Sequence, residues 1–183
     1  MFIERLISKH QKQRAIELAG EKVYNRSMRG KEANLVGAYG EVIVFDHLRS
    51  IGLEPKFVHK TTHDIEVAGY TLDVKTKERT VEPKPYYDCT VPAYNHSHQR
   101  PNYFVFVSLL SDKSKSKDRF SKGWILGKIN YDRLEKSCTK WSAGDIDPDN
   151  GWQVTIDCYN ISASNLTPVK LSNNDESKLE KAS

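Results

Sequence analysis

Long apolar runs are missing from this 183-residue chain: the longest, YFVFVSLL from Tyr103, is too short to cross a bilayer and is expected as a buried strand. Cysteine is scarce. Cys89, Cys138 and Cys158 are odd in number and far apart, which fits neither a disulfide framework nor the CxxC pairs of a zinc site, so reduced, partly buried thiols are expected. The N-terminus, MFIERLISKHQKQR, has no apolar h-region and carries charge within its first five residues, so it does not resemble a secretory signal. A cytoplasmic location is expected, that of a host cell if the chain is phage-encoded. No internal repeat is present. Nor is there a strong excess of one charge: a formal net charge of +4 and a pI near 8.8 would favour a polyanionic partner, yet many proteins without one share this balance.

What is there fits a soluble globular protein, with 38% hydrophobic and 28% charged residues. The length allows one sizeable core, read as a single domain over 1–172 with a helical extension at 1–30, a core at 31–130 and a polar, fraying tail at 173–183. Residues 2–23 have a roughly helical apolar spacing. From Lys31 to Ser50 the stripe is firmer, with Leu35, Ala38, Tyr39, Val42 and Phe45 on one face and Gly52 where a C-cap wants glycine. Gly37 and Gly40 within it suggest a close approach to another backbone, which would bring Glu41 near a sheet. DIEV and YTLDVK alternate on either side of Ala68-Gly69, the signature of a β-hairpin. Further strands are expected at 103–110, at 123–129 and in WQVTIDCY from Trp152, with a short helix over Tyr131 to Lys140.

If Ala68-Gly69 is the two-residue turn, Val67 faces Tyr70, Glu66 faces Thr71, Ile65 faces Leu72 and Asp64 faces Asp73. Opposed residues have Cβ atoms roughly 4.5–5.5 Å apart, so both acids could place oxygens on one hard divalent cation. Thr71, Asp73 and Lys75 share one face with Asp64 and Glu66, while Ile65, Val67, Leu72 and Val74 share the other. A lysine two residues beyond Asp73 stands where its ammonium can orient a water or balance charge growing on a phosphorane-like transition state. Phosphodiester hydrolysis needs a metal that polarises the phosphate and acidifies water, and Mg²⁺ prefers a few carboxylates plus waters.

HDIEV, nine residues from acid to acid, and DVK, preceded by a helix carrying GAYGE, resemble the PD-(D/E)XK, or restriction-endonuclease-like, nuclease superfamily over about residues 31–79. His63 stands where the nominal motif has proline. The resemblance implies an α/β fold with an αβββαβ core, a central mixed sheet flanked by helices. It also implies Mg²⁺ or Mn²⁺ bound by Asp64 and Asp73, Lys75 at the water, and Glu41 assisting the metal from the helix. Downstream, YYDCTVPAYN, YFVFVSLL and GWILGKI are similar to small phage-encoded members. Gln99 and Tyr103 have the QxxxY spacing that resembles the recombination-exonuclease branch, but Pro101 lies inside it, against a helix there. Gln99 is kept as a substrate contact to be tested.

Other readings stay open. A lone DxK on a hairpin is usually solvated charge; the facing Asp64 argues otherwise, because like charges placed opposite destabilise without a cation. Glu32 or Glu66 could be the third acid in place of Glu41. His63 is read as structural, and His96-Ser97-His98 as loop histidines. Lys113, Lys115, Lys117 and Arg119 form a basic connector that could touch phosphates, and Trp124, Trp141 and Trp152 are expected in the core. The expected partner is DNA, with a homodimer compatible and no membrane. An endonuclease is the first expectation; a junction resolvase, an exonuclease, a DNA-binding module that does not cleave and a purely structural protein are the rivals.

Overall fold

A computed structural model describes residues 1–21, 30–58, 60–112, 114–115, 119–148 and 151–170. The first difference from expectation comes at once: Ile3–Leu6 is a strand, β1, and the helix α1 spans Lys9–Glu21. Ser8 sets that boundary. Its Oγ accepts from Gln11 N at 3.1 Å and its own N donates to Gln11 Oε1 at 3.0 Å, a capping box that starts the helix and leaves the preceding residues for sheet pairing. The firmer stripe forms α2, Gly30–Ser50, with Gly52 beyond it at a φ of 85°.

The strands that follow are β2 (Lys56–Phe57), β3 (Ile65–Val67), β4 (Tyr70–Arg79) and β5 (Asp88–Pro92). A six-residue helix, α3 (Ala93–His98), leads into β6 (Tyr103–Ser111) and β7 (Phe120–Asn130). Then come α4 (Tyr131–Ser137), β8 (Thr139–Trp141), β9 (Cys158–Ser162) and a 3₁₀ turn at Ala163–Asn165. The expected helix from Tyr131 stops at Ser137 because the residues after Cys138 pair with β9. The strand expected from Trp152 starts only at Cys158. Before it the backbone is satisfied by a turn instead of a ladder, with Gly144 N donating to Val154 O and Val154 N to Asp145 O, each at 2.8 Å.

The fold is α/β. Its main sheet is mixed, in the order β1-β7-β6-β4-β3-β2, with β4 and β6 parallel and every other pair antiparallel. A second sheet, β5-β9-β8, is antiparallel. Period-two alternation along β6 divides the core between two faces of the main sheet. Val105, Val107 and Leu109 pack with Val42, Ile43 and Leu48 of α2, and Phe104 and Phe106 pack with Val91 of β5 and Ile161 of β9. Fully burying each such side chain contributes about 1.5–3 kcal/mol. Helices therefore cover one face, while the other is covered largely by the small sheet instead of a long helix. Among the described residues no helix is long and apolar enough to cross a membrane. The polar tail expected at 173–183 lies outside the described residues, as do Lys113 and Lys117.

Candidate active site

Ala68 and Gly69 have φ values of 48° and 79°, both positive, as a two-residue hairpin turn of the twisted type requires. The register of β3 on β4 is the expected one: Val67↔Tyr70, Glu66↔Thr71, Ile65↔Leu72. The ladder then ends. Asp64 N still donates to Leu72 O at 2.9 Å, but the Asp64 side chain turns to the backbone of β4, where its Oδ2 accepts from Val74 N at 2.8 Å. This charge-assisted bond fixes the carboxylate of Asp64 on the backbone of Val74, the residue that follows Asp73.

Asp73 is only 1% exposed, so the charged face of the hairpin is closed at this point instead of open to water. Lys75 Nζ stands 2.6 Å from Asp73 Oδ2, an ion pair whose direction is poor for a hydrogen bond. The same ammonium donates to Gln99 Oε1 at 2.9 Å and lies 5.8 Å from the centre of the Phe104 ring. Gln99 is itself held, since Asn95 Nδ2 donates to its Oε1 at 3.0 Å and its Nε2 donates to Thr61 O at 3.1 Å. Three separate segments thus converge on one lysine. Gln99 caps α3 and Tyr103 opens β6, so the QxxxY spacing spans a helix end, with Pro101 between, and does not lie on one helix. Asn95, one helical turn before Gln99, and the carbonyl of Thr61 were not singled out by the sequence. Only the i,i+4 spacing of Asn95 and Gln99 carried a signal.

Glu41 is 5% exposed on α2. Its neighbour Gly40 is pressed against Thr76: a Cβ at Gly40 would overlap Thr76 Oγ1. This close approach is to a side chain, and Gly37 takes no part in it, because a Cβ there would meet only Glu41 Oε1 at 4.0 Å. Thr76, like Leu72 and Val74, alternates to the α2 side of β4, whereas Asp73 and Lys75 alternate to the side of Phe104. As the side chains stand, Asp64, Asp73 and Glu41 do not form a three-acid cage: among the described residues no three His, Cys, Asp or Glu are gathered to hold a metal ion. The donor chemistry of the smaller set still fits Mg²⁺, which takes one or two carboxylates and keeps its waters.

The other candidates are accounted for by nearer partners. Glu66 Oε1 accepts from Lys60 Nζ at 3.0 Å and lies 3.1 Å from His63 Nε2; Lys60 first and His63 second pull its carboxyl below the usual range. His63, with Thr62 Oγ1 at 2.9 Å from its Nδ1, serves that loop. The side chain of Glu32 lies outside the described residues. His96 is buried and stacked on Tyr131 at 4.4 Å, and His98 is stacked on Tyr94 at 4.1 Å. Of the basic connector, Lys115 pairs with Asp112 at 3.4 Å and Arg119 with Glu78 at 3.0 Å. Trp124 is buried and Trp141 half-buried, but Trp152 is 42% exposed and does not belong to the core. Cys89 and Cys158 are buried and Cys138 half-buried, all as free thiols; burial pushes the Cys89 thiol up to about 12.

No protein-family model, no curated protein and no solved structure matches the chain.

Proposed function

We propose that this protein is a divalent-metal-dependent deoxyribonuclease of the PD-(D/E)XK type that hydrolyses DNA phosphodiester bonds, acting as an endonuclease. The observation that carries the reading is the Asp73–Lys75 pair, held at 2.6 Å with Asp73 buried and Lys75 gripped by Gln99. Burying an ion pair is a poor way to gain stability, because desolvation offsets most of the Coulomb attraction, so a chemical role is the better explanation for a braced pair beside a second fixed acid. The element order supports it as well. A long helix, three strands in antiparallel succession, a short helix and a strand parallel to the third follow one another as α2-β2-β3-β4-α3-β6, with β5 inserted, in keeping with a restriction-endonuclease-like αβββαβ core.

In this mechanism Asp64 and Asp73 are the residues that would hold Mg²⁺, with Mn²⁺ able to substitute. When bound, the ion supplies phosphate polarisation and a more acidic water. Lys75 orients the attacking water and balances the negative charge that grows on the phosphorus oxygens. Gln99 keeps the ammonium aimed, which makes it a positioning residue. Glu41, on the helix that covers the opposite face of β4 from Asp73 and Lys75, takes no part in holding the ion.

The test is cleavage of supercoiled, linear and single-stranded DNA in Mg²⁺, Mn²⁺ and EDTA by the native protein and by Asp73→Asn, Lys75→Ala and Glu41→Gln. Metal-dependent nicking of circles, lowered about 100-fold or more by the first two changes, is expected. An Asp73→Asn protein that cuts at the native rate, or a native protein that binds these DNAs and cuts none, would overturn the reading; the second result would favour a binding module.

A further inference from the structure

Helix α3 has two working sides. Its inner side carries the grip on Lys75: Lys75 Nζ and Asn95 Nδ2 both donate to Gln99 Oε1, at 2.9 and 3.0 Å. One residue before each member of that amide pair stands an aromatic ring, Tyr94 before Asn95 and His98 before Gln99, about 100° round the helix. The two rings stack on each other, 4.1 Å between centres and 25° between planes, as residues four apart on a helix can. His98 Nδ1 lies 2.9 Å from Tyr94 O and 2.8 Å from Ser97 Oγ, so the pair is anchored to the backbone before any ligand arrives. Yet it stands in solvent: Tyr94 is 63% exposed, and His98 is exposed as well. Packing does not need these rings, because His96 is the ring that this helix buries against Tyr131.

The surroundings of the ring pair select its ligand. Arg100, two residues on, is exposed and has no carboxylate within ion-pair distance among the described residues, whereas Arg14 and Arg119 are paired with Asp46 and Glu78. A flat aromatic surface beside an unpaired guanidinium suits a planar group on an anionic chain. Lys75 keeps 16% of its side chain exposed against 2% for Asp73, so solvent reaches that ion pair from the lysine side, which is the side Gln99 holds. Resting on the nuclease reading of Asp73 and Lys75, we propose that Tyr94 and His98 form a stacking platform for an unpaired nucleobase of the DNA strand that enters the site. The open face of Tyr94 takes the base, and Arg100 meets a phosphate of the same strand. A base inside a duplex has both faces covered by its neighbours, so the platform selects single-stranded DNA or a duplex with an unpaired nucleotide. Every base has a π-face, so the selection is by strandedness and not by sequence.

Binding of a fluorescein-labelled oligothymidylate and of an abasic strand of the same length is measured in Ca²⁺ over a range of NaCl concentrations. The proteins are the native one, Tyr94→Ala, Tyr94→Trp, Arg100→Gln and the control Tyr86→Ala, an exposed ring between β4 and β5. Tyr94→Ala is expected to weaken oligothymidylate binding about tenfold and to leave the abasic strand unchanged, since one base stacked on an aromatic is worth that order. Tyr94→Trp and Tyr86→Ala keep at least the native affinity. Arg100→Gln lowers the slope of log Kobs against log salt by about 0.7 on both strands, and an unchanged slope overturns the phosphate contact. Equal loss on both strands in Tyr94→Ala, or loss on neither, overturns the platform. Nicking of supercoiled circles in Mg²⁺ is followed separately. A native protein that nicks circles while Tyr94→Ala binds oligothymidylate as tightly as native loses the platform and keeps the nuclease reading. The base-dependent loss in a protein that cuts nothing in Mg²⁺ or Mn²⁺ does the reverse.

Discussion

Lys75 neutralises a carboxylate that water hardly reaches, so removing its ammonium affects stability as well as the chemistry proposed for it. In Lys75→Met the Asp73 carboxylate, 1% exposed, would stay buried without its cation, and breaking such a pair from one side costs about 3 kcal/mol or more. Replacing both partners by apolar side chains removes the stranded charge as well. Asp73→Leu/Lys75→Met is therefore expected to recover most of the lost stability while remaining inactive. Urea unfolding followed by circular dichroism checks this; a Lys75→Met protein as stable as the native one would show that the pair is not electrostatically isolated. At this scale much was legible. Asp64, Asp73 and Lys75 are local in sequence, and the alternation of a strand fixes which of them share a face. The bracing of Lys75 was not, because Gln99 is 24 residues away and meets it only after the chain has crossed to another strand. The turn of Asp64 onto Val74 N was also hidden, since cross-strand pairing alone would have aimed it at Asp73.

α2 and β4 meet closely at Gly40 and Thr76. Gly→Ala inside a helix ordinarily gains roughly 1 kcal/mol from backbone entropy. At Gly40 the sign should reverse, because the new methyl would overlap Thr76 Oγ1 and overpacking costs roughly 1–3 kcal/mol. Thr76→Ala removes the hydroxyl and the methyl that crowd this spot, so Gly40→Ala/Thr76→Ala is expected to regain part of the loss. Thermal melts of the three proteins decide it, and a Gly40→Ala protein that melts at or above the native temperature would count against the contact. The glycine was visible in the sequence and its partner was not. Gly37, three residues earlier, looked the same and has open space, so a glycine pattern marks an approach without saying which glycine makes it. β1 was missed for a related reason. Phe2, Leu6 and Ile7 resemble a helical stripe when taken with α1, and only the Ser8–Gln11 capping box separates the two elements.

The whole molecule is closed by contacts between residues far apart in the chain, and these were the least legible. Strand β5 pairs with β9, Asp88 facing Ser162, across a separation that no local pattern reports, and β8 adds only three residues. Two buried histidines sit at such closures. His47, near the end of α2, has its Nδ1 3.1 Å from Arg5 NH2 and its Nε2 3.3 Å from Val169 O. Because a guanidinium only donates, Nδ1 accepts and Nε2 carries the single proton, so a second proton would have to face Arg5. His96 stacks on Tyr131 and meets Tyr159 of the small sheet at a tilt of 54°. Burial is the leading cause that lowers both pKa values from 6.5, partly opposed by the Val169 carbonyl at His47 and by Glu135 at His96. The unfolded chain therefore binds more protons than the folded one as pH falls through about 6.5, and stability rises with pH across that window and is lost on acidification. The urea midpoint is expected to be lower at pH 5.5 than at pH 7.5. His47→Gln keeps an acceptor for Arg5 and a donor for Val169, and His96→Phe keeps the stacking, so the double variant should show a flatter dependence between those two values. An unchanged dependence would place the titrating groups elsewhere, whereas a flatter one ties acid sensitivity to the two contacts that hold α2 to β1 and α3 to the small sheet.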